Sequence, residues 1–267
     1  FSDGMVLQRN KIIPVWGWAD ANEKVEVRFN KQTRTITADK NGKWMLRLDI
    51  ENAGGPYDLI IKGKNLVQIK NVLVGEVWLC SGQSNMEWTV GQSMNAKNEI
   101  AMANNAFIRH IKIAKEIGSL PNKDISSGSW EVCDSTTVGA FSGIGYFFAK
   151  KINQKVNVPV GLIINTWQGT TQQAWMPAEA LEQFPVYKSI YEKDILSIDI
   201  KTINEKRTLI DRQYRLDKES VYPVFAANLL TGYNDTDWDD FRLPKQWEEN
   251  GYPEVDGLAA YRIKFTL

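Results

Sequence analysis

The stretch Val72–Trp88, VLVGEVWLCSGQSNMEW, decides the fold of this chain. It opens with an apolar, partly β-branched run that predicts a buried central strand of a parallel sheet, formed by Val72, Leu73, Val74, Val77, Trp78 and Leu79. The small and polar residues that follow include a glycine and predict a sharp turn past the carboxyl end of that strand. Open α/β sheets bind ligands at this edge. A serine on the turn, Ser84 or Ser81, is therefore either a nucleophile beside backbone N–H groups or a plain helix N-cap.

Alternating strands and helices continue on the C-terminal side of this turn. The predicted elements are a helix at 95–104, a strand at 107–114, a polar loop at 115–129, a turn and amphipathic helix within 137–152, a buried strand at 157–166 and helix over much of 178–219. This rhythm predicts a doubly wound parallel sheet. Right-handed crossovers then bring the polar turns after Cys80, Ala114 and Ile164 to one edge of the sheet.

The N-terminal side has a different pattern, because short alternating segments are separated by turn residues. The segments are KIIPVWGWA, KVEVRFN, QTRTITA, KWMLRLD, YDLIIKG and NLVQIKNV. Strands at this spacing predict an antiparallel sandwich. The region contains no histidines, paired carboxylates or metal-ligand spacing, so we assign no chemistry to it.

Composition excludes several classes of function. Lys plus Arg and Asp plus Glu both number 32, which argues against nucleic acid or an anionic membrane as partner. No run approaches the roughly 20 apolar residues of a membrane span. One histidine and two distant cysteines fit no zinc site, and no phosphate-binding glycine motif occurs, so we predict no metal and no cofactor. Ten Trp, nine Tyr and ten Phe suit a carbohydrate-binding surface and a large core equally well.

The cysteines leave two interpretations open. Cys80 is either a small apolar residue buried in the predicted strand or one half of a disulfide with Cys133. The sequence does not indicate the oligomeric state.

The string G-Q-S-N-M at 82–86, after V-W-L-C, resembles the nucleophile block of the SGNH (GDSL-like) hydrolases, and specifically the sialate O-acetylesterase family. The opening F-S-D-x-M-V-L-Q-R resembles the N-terminal β-domain of that family. The resemblance implies an α/β fold, a three-layer SGNH-hydrolase (flavodoxin-like) parallel sheet preceded by an antiparallel β-sandwich. The implied domains are an N-terminal sandwich at 1–71, an incomplete hydrolase domain at 72–232 and, from the motif WDDFRLPKQW, the beginning of an inserted jelly-roll-like β domain at 233–267.

The same resemblance implies the catalytic roles. Ser84 is the nucleophile, and its own N–H is one oxyanion donor. Gly143, in the turn AFSGIG, is carried over as a second donor, with the alternative that Gly143 and Gly145 only allow close helix packing.

Substrate-binding residues are expected around the serine and in a second turn. The segment NTWQGTTQQAW at 165–175 resembles the family element N-x-W-G-G-T-x-x-x-A-W. Gln168 stands where the family has a glycine and adds a side chain near the acyl pocket. The binding candidates are Gln83, Asn85, Gln168, Gly169, Thr170 and Trp175, with structural packing as the alternative for Trp175.

The general base is missing from the expected place. The family carries it in a D-x-x-H block near the C-terminus, and an asparagine oxyanion donor in a Q-G-E-S-N element, and neither occurs here. Either His110, the one histidine, has been co-opted, or the chain is the N-terminal part of a longer protein. We expect the second, with the catalytic His and Asp beyond Leu267 and the fragment inactive.

The resemblance therefore implies a serine esterase acting on an O-acetylated sugar or glycan, in the first place 9-O-acetylated sialic acids. The alternatives are an acetylxylan or other plant-polysaccharide acetylesterase, and a non-catalytic carbohydrate-binding fragment. We expect an exported protein, periplasmic or extracellular, whose leader is absent from this chain.

Overall fold

The computed structural model describes residues 1–118, 120–122, 124–210, 212, 215, 234–242, 244–253 and 261–262. The chain divides into two compact units, Phe1–Leu196 and Ser197–Leu267. In the described ranges, no helix is both long enough and apolar enough to cross a bilayer.

The first unit contains the following strands and α-helices. The strands are β1 (Val6–Gln8), β2 (Ile13–Trp18), β3 (Lys24–Phe29), β4 (Gln32–Thr37), β5 (Lys43–Leu48), β6 (Gly54–Lys62), β7 (Leu66–Gly82), β8 (Asn104–Lys112), β9 (Trp130–Asp134) and β10 (Val160–Thr166). The helices are α1 (Ser84–Glu87), α2 (Ala96–Met102), α3 (Gly143–Val156), α4 (Ala178–Leu181) and α5 (Pro185–Ile190).

The predicted N-terminal sandwich is confirmed. Strand β2 pairs with β5, and β3 pairs with β4 and β6, all antiparallel. Every second residue is buried along β3 and β5, as a strand with one face on a core requires. These inner faces share one apolar core, which includes Val25, Val27, Phe29, Trp44, Leu46 and Leu48.

Strand β7 belongs to both halves of the unit. Its first half pairs antiparallel with β6, and its second half pairs parallel with β10 over Glu76–Gly82. Strand β10 also pairs parallel with β8, and β9 closes that edge antiparallel. The predicted α/β class with a parallel sheet is therefore confirmed. The strand runs without a break through the boundary predicted after residue 71, and the domain bounds stay a prediction.

Strands β7, β10 and β8 are parallel and adjacent in that order, so β10, the last of them along the chain, lies between the other two. This differs from the 2-1-3 order of flavodoxin-like sheets. Strand β1 also pairs parallel with β7, at Leu73–Gly75. Helix α3 packs on one face, where Tyr146 and Ala149 join Cys80, Leu162 and Ile164 in a second apolar core.

Two expectations need correction, and one strand was not foreseen. Trp78 and Leu79 were expected to be buried, but they are 42% and 66% exposed. The rings of Trp78 and Phe148 of α3 form a T-shaped pair, and Leu79 lies on the other face, since neighbouring strand residues alternate. The disulfide alternative is wrong, because Cys80 and Cys133 are both free and buried. Strand β9, which follows the predicted loop, was not foreseen.

The region 178–219 is also less regular than predicted. Helices α4 and α5 are separate, because Pro185 begins the second of them, and a π-helical turn follows at Tyr191–Ile195. Residues 200–210 are helical. The predicted inserted β domain at 233–267 lies partly outside the described residues, and its described part contains a 3₁₀ turn at Glu248–Asn250.

Candidate active site

The turns after β7, β8 and β10 meet at the carboxyl edge of the parallel sheet, as the predicted crossovers require. Trp167, just past β10, donates its N–H to the carbonyl of Gly82 at the end of β7 (3.0 Å). Ile113, just past β8, donates to the carbonyl of Ile164 on β10 (2.9 Å). The predicted serine turn and the predicted glycine turn are thereby brought side by side.

Ser84 is exposed and is the first residue of α1, directly after β7. The N-cap is Gln83, whose side-chain oxygen accepts from the Ser84 N–H. The interpretation of Ser84 as a plain N-cap is therefore wrong. The hydroxyl lies at the edge of the sheet where a substrate can reach it.

Donors from both turns converge on one oxygen atom. Gln83 Oε1 accepts from the Ser84 hydroxyl (2.9 Å), from the Ser84 N–H (3.3 Å) and from the Gly169 N–H (3.3 Å). An oxygen that receives two backbone N–H groups next to a serine hydroxyl has the surroundings of an oxyanion in acyl transfer. The amide oxygen of Gln83 thus marks a place where the carbonyl oxygen of an ester fits.

Hydrogen bonds hold the glycine turn in place. Gly169 has φ +76°, which favours glycine, while a Cβ there would meet nothing within 4 Å. The Thr170 hydroxyl donates to the Trp167 carbonyl (2.7 Å) and accepts from the Trp175 indole N–H (2.9 Å). Thr170 and Trp175 therefore stabilise the turn, which agrees with the packing alternative for Trp175, and their role in binding stays a prediction. Gln168 is exposed beside them.

Gly143 lies in different surroundings from those expected of an oxyanion donor. Its N–H donates to the carbonyl of Trp88 (2.8 Å), and a Cβ on it would lie 2.9 Å from the Ser93 hydroxyl oxygen. The Gly143 N–H is therefore already used in a hydrogen bond to Trp88, and the tight contact with Ser93 agrees with the alternative that this glycine allows close packing. An oxyanion role for Gly143 stays a prediction and requires that bond to break.

Two open clefts border the turns. A cleft of about 720 Å³ is lined by Asn85, Trp88, Ser93, Gly143, Ile144 and Phe147. The sequence predicted Asn85 here but missed Trp88 and Phe147, although Trp88 ends the stretch that contains the serine. A second cleft of about 450 Å³ lies past β8 and β10, and its lining includes Lys115, Asp124, Asn165, Trp167 and Trp175.

Glu87 is a half-buried carboxylate that sequence reasoning missed. Its Oε1 lies 2.6 Å from Lys115 Nζ and 3.7 Å from Lys112 Nζ, and its Oε2 accepts from the Gln168 N–H (2.8 Å). Burial by itself would raise the pKa of Glu87, but the hydrogen bonds from Lys115 and Gln168 and the two ammonium charges outweigh it and lower that pKa. Glu87 is therefore ionised at neutral pH.

His110 is buried in the core beside the sheet. Its ring is 2% exposed and stacks on Phe141 at 4.3 Å between centroids. Neither ring nitrogen has a hydrogen-bond partner within the described part of the chain. Burial, helped by the charge of Lys112, lowers its pKa to about 4. A base must reach the serine proton, so the co-opted His110 considered above is not supported.

Among the described residues, no cluster of His, Cys, Asp or Glu could hold a metal ion.

The chain is similar to known carbohydrate esterases. Residues 74–204 match the family model described as carbohydrate esterase, sialic acid-specific acetylesterase. The chain is 30% identical over 217 residues to the sialate O-acetylesterase of Rattus norvegicus and 29% over 212 residues to that of Homo sapiens. These matches cover 74% and 70% of this chain and 40% of each relative, so the chain spans about two fifths of the length of those proteins.

A solved structure is similar as well. It is the crystal structure of a carbohydrate acetylesterase from Xanthomonas citri, with 40% sequence identity and a TM-score of 0.67. The similarity covers 67% of this chain and 42% of that one.

Proposed function

Because this chain belongs to the sialic acid-specific acetylesterase family of carbohydrate esterases, through residues 74–204, we propose that the full-length protein removes O-acetyl groups from sugars with Ser84 as nucleophile. The observation that carries the proposal is the convergence of the Ser84 hydroxyl and two backbone N–H groups on the Gln83 amide oxygen.

The reaction follows from that arrangement. A substrate acetyl group displaces the Gln83 amide, and its carbonyl oxygen takes the place between the N–H groups of Ser84 and Gly169. Ser84 Oγ bonds to the carbonyl carbon while a base takes the hydroxyl proton, and the negative charge on the oxygen is stabilised by the two N–H groups. The ester C–O bond then breaks, the base gives the proton to the sugar oxygen, and the sugar leaves as an alcohol while the acetyl group stays on Ser84. Water then releases acetate from the acyl-serine by the same steps.

We place the base outside this chain. His110 is buried against Phe141, and the chain spans 40% of its mammalian relatives, which leaves most of a related full-length protein to supply a histidine and an aspartate. The chain by itself is then a poor esterase, because loss of one member of a catalytic triad costs orders of magnitude in rate.

The preferred substrate in this proposal is a 9-O-acetylated sialic acid. The rat and human relatives are both named sialate O-acetylesterases, which supports it. The alternative is an acetylxylan or other plant-polysaccharide ester. The Xanthomonas citri relative is called a carbohydrate acetylesterase, a name that is not restricted to sialic acid, and it therefore favours this alternative.

The proposal is tested with the full-length protein and p-nitrophenyl acetate. We expect Ser84→Ala to lower kcat by on the order of 10³ or more, because the acyl-enzyme cannot form. Ser81→Ala is the matched control, since Ser81 is an exposed serine at the end of the same strand, and it should retain the wild-type rate. Equal rates for Ser84→Ala and wild type would remove Ser84 from the mechanism.

The choice of sugar is a separate measurement. The values of kcat/KM for 9-O-acetylated sialic acid and for acetylated xylan decide between the two esterases. If the full-length protein binds either sugar without hydrolysing it, the protein is a binding module and the esterase proposal is wrong.

A further inference from the structure

Glu87 connects all three turns at the carboxyl edge of the parallel sheet. It lies on α1, three residues after Ser84, and its side chain is 16% exposed. One carboxylate oxygen contacts Lys115 of the turn after β8, and the other accepts the Gln168 N–H of the turn after β10. A single side chain thus fixes the distances between these segments.

The hydrogen bond from the Gln168 N–H to Glu87 affects the place now occupied by Gln83 Oε1, where the ester carbonyl oxygen is expected to bind. Gln168 and Gly169 are consecutive, so a displacement of the Gln168 N–H displaces the Gly169 N–H as well. Ser84 and Glu87 are also within one turn of α1. Glu87 therefore links the segment that carries the nucleophile to the segment that carries one of the two backbone donors.

Positive charges around Glu87 strengthen its contacts with the neighbouring turns. Lys115 Nζ lies 2.6 Å from the carboxylate and also 5.8 Å from the centre of the Trp167 ring, one residue before Gln168. Lys112, at 3.7 Å, adds a second positive charge. A hydrogen bond to an ionised, partly buried carboxylate is stronger than one between neutral groups.

We propose that Glu87 is a positioning residue for the esterase reaction: it holds the Gln168–Gly169 turn against α1, so that the Gly169 N–H stays aimed at the substrate carbonyl oxygen. The inference rests on the proposed function. Glu87 does not touch the reacting atoms and acts through Gln168. Its contribution belongs to the transition state, because the Gly169 N–H stabilises charge that develops on the oxygen only then.

The experiment compares Glu87 with Glu99 in the full-length protein. Glu99 is a matched control, because it is a similarly buried carboxylate (14% exposed) that pairs with Lys150 and accepts from the Tyr146 hydroxyl (2.7 Å), both on α3. We expect Glu87→Ala to lower kcat by about 10²-fold with KM nearly unchanged, the size of effect expected when a donor is misplaced. Glu99→Ala should leave kcat unchanged, even if the melting temperature Tm falls as much.

Two further variants separate the contacts of Glu87. Glu87→Gln keeps an oxygen that can accept the Gln168 N–H and loses the charge, so its kcat should lie between those of wild type and Glu87→Ala. Lys115→Met leaves the carboxylate in place and removes its closest cation, and we expect a smaller loss of kcat than in Glu87→Ala. If Glu87→Ala fails to fold, these two variants still decide the question, and wild-type kcat in both would overturn the proposal.

The other outcomes are also distinct. Wild-type kcat in a folded Glu87→Ala overturns the positioning role. Equal losses of kcat in Glu87→Ala and Glu99→Ala also overturn it, because the effect is then a general consequence of destabilisation. Ser84→Ala is measured in the same series: if it is inactive while Glu87→Ala is fully active, only this inference fails, whereas an active Ser84→Ala removes the proposed function itself.

Discussion

His110 illustrates how burial changes the chemistry of a residue type that is usually read as catalytic. It is the one histidine of the chain and lies in β8 with its ring between the strand and Phe141. Its closest acidic group is Glu131 of β9, whose Oε2 is 4.0 Å from Nδ1, and Lys112 adds an unfavourable positive charge. The ring is therefore neutral at physiological pH and acts as part of the core.

This environment predicts a pH dependence of stability. The pKa of His110 is about 4 in the folded protein and about 6.5 in an unfolded chain. The unfolded state binds the proton first, so the free energy of unfolding should fall as the pH decreases from about 6.5 to about 4, by up to about 3 kcal/mol. Urea unfolding at several pH values measures this change.

The control is His110→Phe, which keeps a ring against Phe141 and cannot bind a proton. The difference in stability between wild type and this variant should depend on pH only inside that window. A constant difference across it would show that His110 does not carry the effect.

At the scale of elements, β8 is attached to the N-terminal part of the chain by Arg109. This residue is 3% exposed, and its guanidinium donates to the carbonyls of Gly4 (2.6 Å) and Asn71 and to the Asn71 side chain (2.9 Å). These acceptors are neutral oxygens, which satisfy the buried guanidinium, while its desolvation lowers the pKa of Arg109. The segments before β1 and at the middle of β7 thus depend on a side chain of the parallel sheet.

Replacing Arg109 should therefore destabilise the protein. We expect Arg109→Met to lower the free energy of unfolding by about 2 to 4 kcal/mol, because buried carbonyl groups lose their donors. Arg34→Met is the control, since Arg34 forms an exposed ion pair with Asp49 whose loss should cost less than about 1 kcal/mol. Chemical unfolding of both variants gives the comparison, and equal losses would contradict the assigned role of Arg109.

At the scale of the whole molecule, Gly75 stands where the sandwich and the parallel sheet share strand β7. Its carbonyl accepts from the Arg9 N–H past β1, and the next N–H, of Glu76, donates to the carbonyl of Pro159 before β10 (both 2.8 Å). A Cβ at position 75 would lie 2.0 Å from that Pro159 oxygen. The two cores of the first unit therefore meet at a point where only a hydrogen atom fits.

We expect Gly75→Ala to lower the free energy of unfolding by about 1 to 3 kcal/mol or more, because backbone rather than a flexible side chain must move. Gly139→Ala is the matched control, since its nearest contact is a side-chain methyl of Ile100 at 3.4 Å. Urea denaturation followed by tryptophan fluorescence measures both. A Gly75→Ala protein as stable as wild type would mean that β1 and β10 separate easily at this junction.

The sequence by itself determined the elements whose pattern is strong and local. Alternation predicted the sandwich strands, and the apolar run before GQSNM predicted β7, the turn after it and Ser84 as its exposed serine, because periodicity and turn chemistry depend on nearby residues. It also predicted that the Ser84 and Gly169 turns share an edge, because parallel strands end on the same side. Resemblance, rather than periodicity, supplied the role of Ser84.

Tertiary structure decided what depends on residues far apart in the chain. The convergence of Ser84 and Gly169 on one oxygen, the attachment of Glu87 to Lys115 and Gln168, and the burial of His110 all join segments that are distant in sequence. The hydrogen bond of the Gly143 N–H to Trp88 and the exposure of Leu79 likewise depend on the tertiary structure. Such contacts are set by strand order and packing, for which a local pattern carries no information.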